Sequence, residues 1–150
     1  MLYLATDHRG FKLKEELKSF LKESGYDSED VGALEYQEND DYVDFSKTAC
    51  EKIVQNVDNK GIFICGSGHG MNIVANKYKG IRAVLGFNKA VAVQSREHEN
   101  ANVLVLASDW LTLANAKDIV RAWLETPFSI EERHNRRLQK IADIEQENFK

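Results

Sequence analysis

Residues 61–76 read GIFICGSGHGMNIVAN, an apolar run that ends at a cysteine and passes through a glycine-rich turn into a helix. Phe63 and Ile64 predict a buried strand that ends at Cys65, and the following glycines let the backbone N–H groups face the sulfur. A helix N-terminus carries about half a positive charge, and a cysteine placed there has its pKa lowered from roughly 8.5 toward 7 or below. We therefore expect a Cys65 thiolate that acts as a general base or nucleophile.

Strand-like and helix-like segments alternate along the whole chain around this turn. Strands are predicted at residues 2–6, 26–31, 61–65, 81–85 and 102–107. Helices are predicted from residue 11 until Gly25, at 42–57, 70–76, 89–97 and 111–125, and from about residue 130 onward. With right-handed crossovers, the alternation predicts a single domain over residues 1–150. Its expected fold is a Rossmann-like three-layer α/β/α sandwich with a five-stranded parallel sheet, order 2-1-3-4-5, and an extended C-terminal helix.

Composition limits the class of protein. The 150 residues, 43% hydrophobic and 29% charged, are enough for one ordinary domain and too few for two. A net charge of −4 argues against nucleic acid as a partner, since phosphate backbones bind basic surfaces. Cys50 and Cys65 do not form a disulfide-framework pattern, which favours a reducing compartment. Because no apolar run approaches the ~20 residues of a membrane span and the first residues lack a basic start, we expect a cytoplasmic protein without a membrane partner.

Polar residues follow two strands that this topology makes neighbours. Asp7 and His8 come directly after the first strand, and the loop of residues 65–70 follows the third. In a doubly wound sheet, ligands bind beyond the carboxyl ends of the strands where the strand order reverses. The sequence therefore predicts one crevice that contains both groups.

The glycine loop does not match the common nucleotide-binding motifs. It lacks the G-x-G-x-x-G spacing, and no Lys-Ser/Thr follows as in a P-loop. A flavodoxin-like phosphatase would need an arginine where Met71 stands. Two interpretations remain, a thiolate beside an oxyanion-binding turn or a structural turn with an inert thiol. No His and Cys spacing resembles a zinc site, so no metal is expected.

Two basic features are open to more than one interpretation. His98 lies near a predicted helix C-terminus, where a histidine can cap the helix or take part in a site. Arg133, His134, Arg136 and Arg137 lie within five residues of one another. This group is either a local anion site or a solvated helix face.

A series of short motifs, in order over essentially the whole chain, resembles the ribose-5-phosphate isomerase B family, which is grouped with the galactose-6-phosphate isomerases. The motifs are Thr-Asp-His-x-Gly (6–10), Asp-Tyr (41–42), Ile-Cys-Gly-Ser-Gly-x-Gly-Met (64–71), Ala-Asn-Lys (75–77), Gly-Ile-Arg-Ala (80–83), Ser-Arg-Glu-His (95–98), Ala-Asn-Val-Leu (101–104) and Arg-His-x-x-Arg (133–137).

The resemblance implies an aldose–ketose isomerase that needs no cofactor and interconverts D-ribose 5-phosphate and D-ribulose 5-phosphate through a cis-enediolate. It implies that Cys65 is the base, that Ser67 and the loop amides hold the enediolate oxygen, and that His98 opens the sugar ring from a neighbouring subunit. The implied assembly is a homodimer or a dimer of dimers with the site at the subunit interface. The implied phosphate clamp is Arg133 with Arg137. The implied substrate-binding positions are Asp7, His8, Tyr42, Gly66, Gly68, His69, Gly70, Glu99 and Asp109.

Three positions depart from the usual family pattern. Glu99 stands where asparagine is common, Asp109 where an arginine follows the fifth strand, and Arg9 where alanine is common. A carboxylate near a phosphate dianion weakens binding unless it is paired. We therefore expect Arg9 to replace the missing arginine and to pair with Asp109 or with the phosphate. The alternatives are an isomerase of another sugar, such as allose 6-phosphate or a less charged sugar, and a non-catalytic phosphosugar-binding domain.

Overall fold

The apolar runs of the sequence form one parallel sheet with helices on both of its faces. The computed structural model describes residues 1–149, and over that range it contains five strands and six helices. The strands are β1 (Leu2–Thr6), β2 (Ser28–Asp30), β3 (Lys60–Cys65), β4 (Ala83–Leu85) and β5 (Val103–Ala107). The helices are α1 (Phe11–Glu23), α2 (Tyr42–Ile53), α3 (His69–Ala75), α4 (Lys89–Glu99), α5 (Leu113–Glu125) and α6 (Glu132–Asn148). The predicted α/β/α fold class is confirmed.

The strand order is 2-1-3-5-4, so the predicted order 2-1-3-4-5 is wrong at its last two positions. β5 pairs with β3 on one side and with β4 on the other. All of its side chains are buried, whereas β4 is three residues long and partly exposed. The longer, fully apolar strand lies inside the sheet because both of its faces need cover, and the short strand lies at the edge. Polar β2 forms the other edge, as its composition predicts.

Side chains of the strands alternate between two cores. One core lies under α1, α4 and α5 and the other under α2 and α3. Ile62 and Ile64 point into the first core, and Phe63 and Cys65 point into the second. Because successive side chains of a strand face opposite sides, the Cys65 sulfur lies on the same face as α3, the helix that begins at the next turn.

Several helix ends differ from the predicted ones, most of all the end of α2. α2 ends at Ile53 rather than near residue 57. In its last turn, the Lys52 carbonyl oxygen accepts a hydrogen bond at 3.0 Å from the Asn59 side chain. α6 begins at Glu132, packs against α4 and buries only His134 among its own residues. Over residues 1–149, no helix combines the length and the apolar character that a membrane crossing needs.

Candidate active site

The loops that follow β1, β3 and β5 are tied together at the carboxyl edge of the sheet. The Thr6 hydroxyl donates to the Ile64 carbonyl oxygen at 2.7 Å, and the Asp109 amide donates to the Gly66 carbonyl oxygen at 3.1 Å. The Ser108 hydroxyl lies 3.0 Å from the Arg9 carbonyl oxygen and 3.2 Å from that of Cys65. The loops after the first and third strands are therefore neighbours, as the topology predicts. We call the following residues the carboxyl-edge cluster: Asp7, His8, Arg9, Tyr42, Cys65, Gly66, Ser67, Gly68, His69, Gly70 and Asp109.

The turn from β3 into α3 directs backbone donors at the sulfur. Gly68 has a φ of +76°, a conformation that glycine adopts at little cost, and its amide donates to the Cys65 Sγ at 3.2 Å. The Tyr42 ring lies directly against Gly70, where an added Cβ would come within 2.5 Å of the ring. The ring of His69 contacts Trp110 edge-on at 5.9 Å. The loop thus directs amides at the sulfur and packs against the Tyr42 ring.

The lowered pKa predicted for Cys65 is wrong. Its side chain is buried, with 4% of the residue exposed, and burial raises the pKa of the thiol. The amides of Met71, Gly68 and Ser67 act in the opposite direction, and the nearby Asp7 carboxylate raises the pKa further. The sequence revealed the helix N-terminus but not the loss of water around the sulfur. Cys65 is therefore a thiol whose anion, once formed, meets backbone donors.

Asp7 and His8 are each held by specific partners. Asp7 Oδ1 accepts hydrogen bonds from the amides of Arg9 and Gly10 at 3.0 and 3.1 Å. Burial nevertheless raises the pKa of the Asp7 carboxyl, and the charge of Asp40 adds to the effect. His8 is bound to Asp40 Oδ1 twice, through its Nδ1 at 2.6 Å and through its backbone amide at 3.0 Å.

No sequence pattern indicated Asp40 as a site residue. Asp40 is followed by Asp41, the N-cap of α2, and two acidic residues in a row at this point are explained by the start of a helix. Asp7, His8 and Asp40 place potential ligand atoms within 4.8 Å of one another. Because the short bond between His8 and Asp40 already uses one atom of each side chain, we assign the group as a histidine–carboxylate pair beside Asp7.

Arg9 and Asp109 form the predicted ion pair. Arg9 Nη2 lies 2.5 Å from Asp109 Oδ2. The guanidinium lies against the backbone of Gly66, where an added Cβ would be 2.6 Å from Arg9 Nε. The Asp109 carboxylate is therefore paired with a cation, and that cation lies against the glycine loop.

The remaining predicted site residues lie near the amino ends of the strands, which we call the amino edge of the sheet. α4 starts beyond the carboxyl end of β4 and runs back, so it ends near the start of β5 at the amino edge. The His98 ring stacks on that of His134, with centroids 4.3 Å apart and an interplanar angle of 30°. The Ser129 amide donates to the Glu97 carbonyl oxygen at 3.1 Å, which brings the start of α6 to the same place. We call the following residues the amino-edge cluster: His98, Glu99, Arg133, His134 and Arg137.

His134 is almost fully buried, so this member of the basic group is not part of a solvated helix face. Its Nδ1 lies 2.6 Å from the Ser129 hydroxyl, and its Nε2 has no hydrogen-bond partner among the described residues. Arg133 and Arg137 lie one helical turn apart and are exposed, and Arg133 Nε contacts Glu131 at 2.7 Å. The basic segment is therefore anchored at His134 and presents its arginines outward.

One protomer does not bring His98 to Cys65. Cys65 pairs with Ala107 at the carboxyl end of β5, whereas His98 lies beyond the other end of that strand. A strand of five residues spans about 16 Å, which no hydrogen bond can bridge. The predicted site residues thus form two separate clusters.

A comparison with protein families places the chain among sugar isomerases. A family model described as Ribose/Galactose Isomerase matches residues 2–141. Ribose-5-phosphate isomerase B of Mycolicibacterium paratuberculosis is 39% identical over 144 residues, which cover 96% of this chain and 91% of that protein.

Solved structures give the same result. Ribose-5-phosphate isomerase B of Mycoplasma genitalium, with bound ribulose-5-phosphate, superposes with a TM-score of 0.94 at 38% identity, covering 98% of this chain and 97% of that one. The Clostridium thermocellum ribose-5-phosphate isomerase B has a TM-score of 0.92 at 40% identity, with 97% of each chain covered.

Proposed function

The chain belongs to the ribose/galactose isomerase family and is an aldose–ketose isomerase, and on that premise we propose that it interconverts D-ribose 5-phosphate and D-ribulose 5-phosphate. The relative from Mycoplasma genitalium that binds ribulose-5-phosphate supports this substrate pair. The observation that carries the proposal is the position of the Cys65 sulfur at the carboxyl edge, 3.2 Å from the Gly68 amide.

Cys65 is the base that moves the proton between C2 and C1. The thiolate removes the C2 proton of the open-chain aldose, and the oxygen on C1 becomes the enediolate oxygen. The thiol then returns its proton to C1, while the C2 hydroxyl proton moves to the oxygen on C1. The amides of residues 66–70 and the Ser67 hydroxyl bind the enediolate oxygen, where each preorganised donor lowers the barrier by roughly 3–4 kcal/mol.

The sugar lies along the carboxyl-edge cluster beside the thiol. Asp7, His8, Tyr42 and His69 line it together with the glycine loop. Because burial raises the pKa of Cys65, the thiol is favoured over the thiolate. Activity should therefore rise with pH through the neutral and alkaline range as the thiolate forms.

Ring opening and phosphate binding come from a second copy of the chain. His98 of the partner subunit serves as acid and base for opening the furanose, and Arg133 with Arg137 on the same edge clamps the phosphate. Two arginines one turn apart on an exposed helix face present paired donors that suit a phosphate dianion. The functional unit is then a homodimer, alone or in a dimer of dimers, in which the amino edge of one protomer faces the carboxyl edge of the other.

Arg9 completes the anion site from the carboxyl edge. Its contact with Asp109 removes the repulsion that an unpaired carboxylate would exert on a phosphate. This pairing supports a phosphorylated sugar over an uncharged one. Glu99, at the amino edge, is the other acidic departure and would lie near the ligand only in the assembled dimer.

Isotope exchange in deuterium oxide tests the proposal directly. Incubation of the protein with ribose 5-phosphate should yield ribulose 5-phosphate that carries deuterium at C1, detected by proton NMR. A panel that includes allose 6-phosphate and galactose 6-phosphate ranks the substrates in the same assay. Ligand-induced shifts without ketose or deuterium incorporation from any of these sugars would show a binding protein instead of a catalyst.

A further inference from the structure

The His8 side chain is held by a residue that belongs to neither the glycine loop nor the recognised motifs. Asp40 Oδ1 lies 2.6 Å from His8 Nδ1 and also accepts the His8 backbone amide at 3.0 Å. A carboxylate at this distance accepts the Nδ1 proton, which fixes the tautomer and the orientation of the imidazole. His8 Nε2 has no hydrogen-bond partner among the described residues, and the ring remains partly exposed.

Burial shows that Asp40 is more than a surface contact. Its side chain is only 7% exposed, and Oδ2 is buried without a hydrogen-bond partner among residues 1–149. A carboxylate buried in this way costs stability unless its charge is compensated, and the His8 imidazole is the group that it contacts. The negative charge of Asp40 also acts on Asp7, where it raises the pKa of the carboxyl group.

The segment between β2 and α2 places Asp40 over His8. At its start, the amides of Val31 and Ala33 bond to the Leu4 and Thr6 carbonyl oxygens and extend the alignment with β1. Farther along, Tyr36 contacts the His8 ring edge-on, with centroids 6.0 Å apart. The imidazole is therefore held by two side chains from one segment, and the position of its Nε2 depends on that segment.

We propose that Asp40 is a positioning residue that holds the His8 imidazole with Nδ1–H toward Asp40 and Nε2 toward an oxygen of the bound sugar phosphate. The inference rests on the proposed function for the identity of the ligand, but the bond between the two side chains exists without it. Asp40 acts only through His8 and does not touch the substrate.

Nitrogen-15 NMR of the free protein tests the hydrogen bond without any reference to turnover. The His8 ring of the wild type should show Nδ1 protonated, and Asp40→Asn should change its two ring-nitrogen shifts, because an amide can offer a donor to Nδ1. Glu38→Gln, which removes a carboxylate from the same segment, should leave them unchanged. A wild-type His8 protonated at Nε2 alone overturns the proposal, whether or not the Asp40 variant folds.

Kinetics of a double-mutant cycle test whether Asp40 works through His8. Asp40→Asn should lower kcat/KM for ribose 5-phosphate by about 10- to 100-fold, as loss of an orienting carboxylate does in other histidine sites. In a His8→Ala background the same substitution should cost less than about twofold. Equal losses in both backgrounds, or unchanged activity of Asp40→Asn, overturn the proposal. If the wild type turns over no sugar phosphate, the proposed function fails, while the NMR result still decides the role of Asp40.

Discussion

The carboxyl-edge and amino-edge clusters differ in how much of their structure comes from the protomer itself. At the carboxyl edge, hydrogen bonds join the loops after three strands, and the sulfur of Cys65 and the carboxyl of Asp7 are buried. At the amino edge, the arginines lie on α6, which buries only His134. α6 also leaves Ile141 and Ile144 exposed, and Ile130 just before it is 90% exposed. Contacts within the chain hold the first cluster in place, whereas the second exposes apolar and basic side chains on its surface.

The two clusters also differ in the ionisable groups that they contain. The carboxyl edge holds groups whose pKa values are raised by burial, which is the environment of proton-transfer residues. The amino edge holds exposed guanidinium groups, which stay charged and attract anions. A site that joins the two edges gains a proton-transfer half and an anion-binding half.

The largest expected effect is at the sulfur. Cys65→Ser keeps the volume but replaces the thiol by a much weaker acid, so we expect kcat to fall by about 10³-fold or more with unchanged folding. Deuterium exchange into ribose 5-phosphate and circular dichroism are the measurements. Cys50→Ser, in the same core layer, serves as the control and should keep its activity if it folds. Exchange within tenfold of wild type in the Cys65 variant would remove this residue as the base.

The next largest effect should come from the amino edge. Replacement of both Arg133 and Arg137 by alanine should lower kcat/KM by about 10²- to 10³-fold, because each exposed charge-assisted contact is worth about 1.5–2 kcal/mol, the lower part of the usual range. Arg136→Ala is the matched control, since that side chain lies on the same helix and pairs with Glu132 at 3.1 Å. Steady-state kinetics with ribose 5-phosphate give the result. Full activity of the double variant would exclude a phosphate clamp on α6.

A smaller effect is expected from the pair that crosses the crevice at the carboxyl edge. Arg9→Ala leaves Asp109 unpaired near the phosphate, and we expect about a tenfold rise in KM. Removing both side chains should recover two- to fivefold of that loss, because both groups are partly exposed and such pairs couple by about 0.2–1 kcal/mol. Losses that simply add in the double variant would show that Arg9 does not compensate for Asp109.

The last expected effect is on stability, not on activity, and comes from Cys50, a buried thiol of α2. Burial raises the pKa of Cys50 to about 12, whereas an unfolded cysteine ionises near 8.5. Below about pH 8.5 the folded and unfolded chains both keep this proton, and above it only the unfolded chain loses it. Stability should therefore fall as pH rises, by about 2 kcal/mol between pH 8.5 and 10. Urea titrations should show a shallower decline for Cys50→Ala, and identical slopes would contradict the assignment.

The sequence predicted those features that depend on local chemistry. The pattern of residues 61–76 predicted the β3–α3 unit. The rule that sites lie at the carboxyl ends of the strands where the strand order reverses predicted that Asp7 and His8 lie close to it. Arg9 and Asp109 were also visible in the sequence as departures of opposite charge from the family pattern, and the two residues do pair.

The features that were missed depend on packing between distant segments. The order of β4 and β5 follows from which strand can be covered on both faces, which becomes clear only when the helices are in place. The raised pKa of Cys65 reflects burial by α2 and α3, which outweighs the amides that the turn provides. Asp40 reaches His8 from 32 residues away through an irregular segment, so no spacing rule could find it.

Mixing of two inactive variants tests most directly whether the two edges of different protomers form one site. Cys65→Ser lacks the base and His98→Ala lacks the ring-opening residue, so each homodimer should be inactive. In a symmetric dimer with random exchange, half of the dimers are mixed and each has one intact site, which predicts about a quarter of wild-type activity. Activity no higher than that of the parents, with mixed dimers verified by native mass spectrometry, would contradict a site shared between protomers.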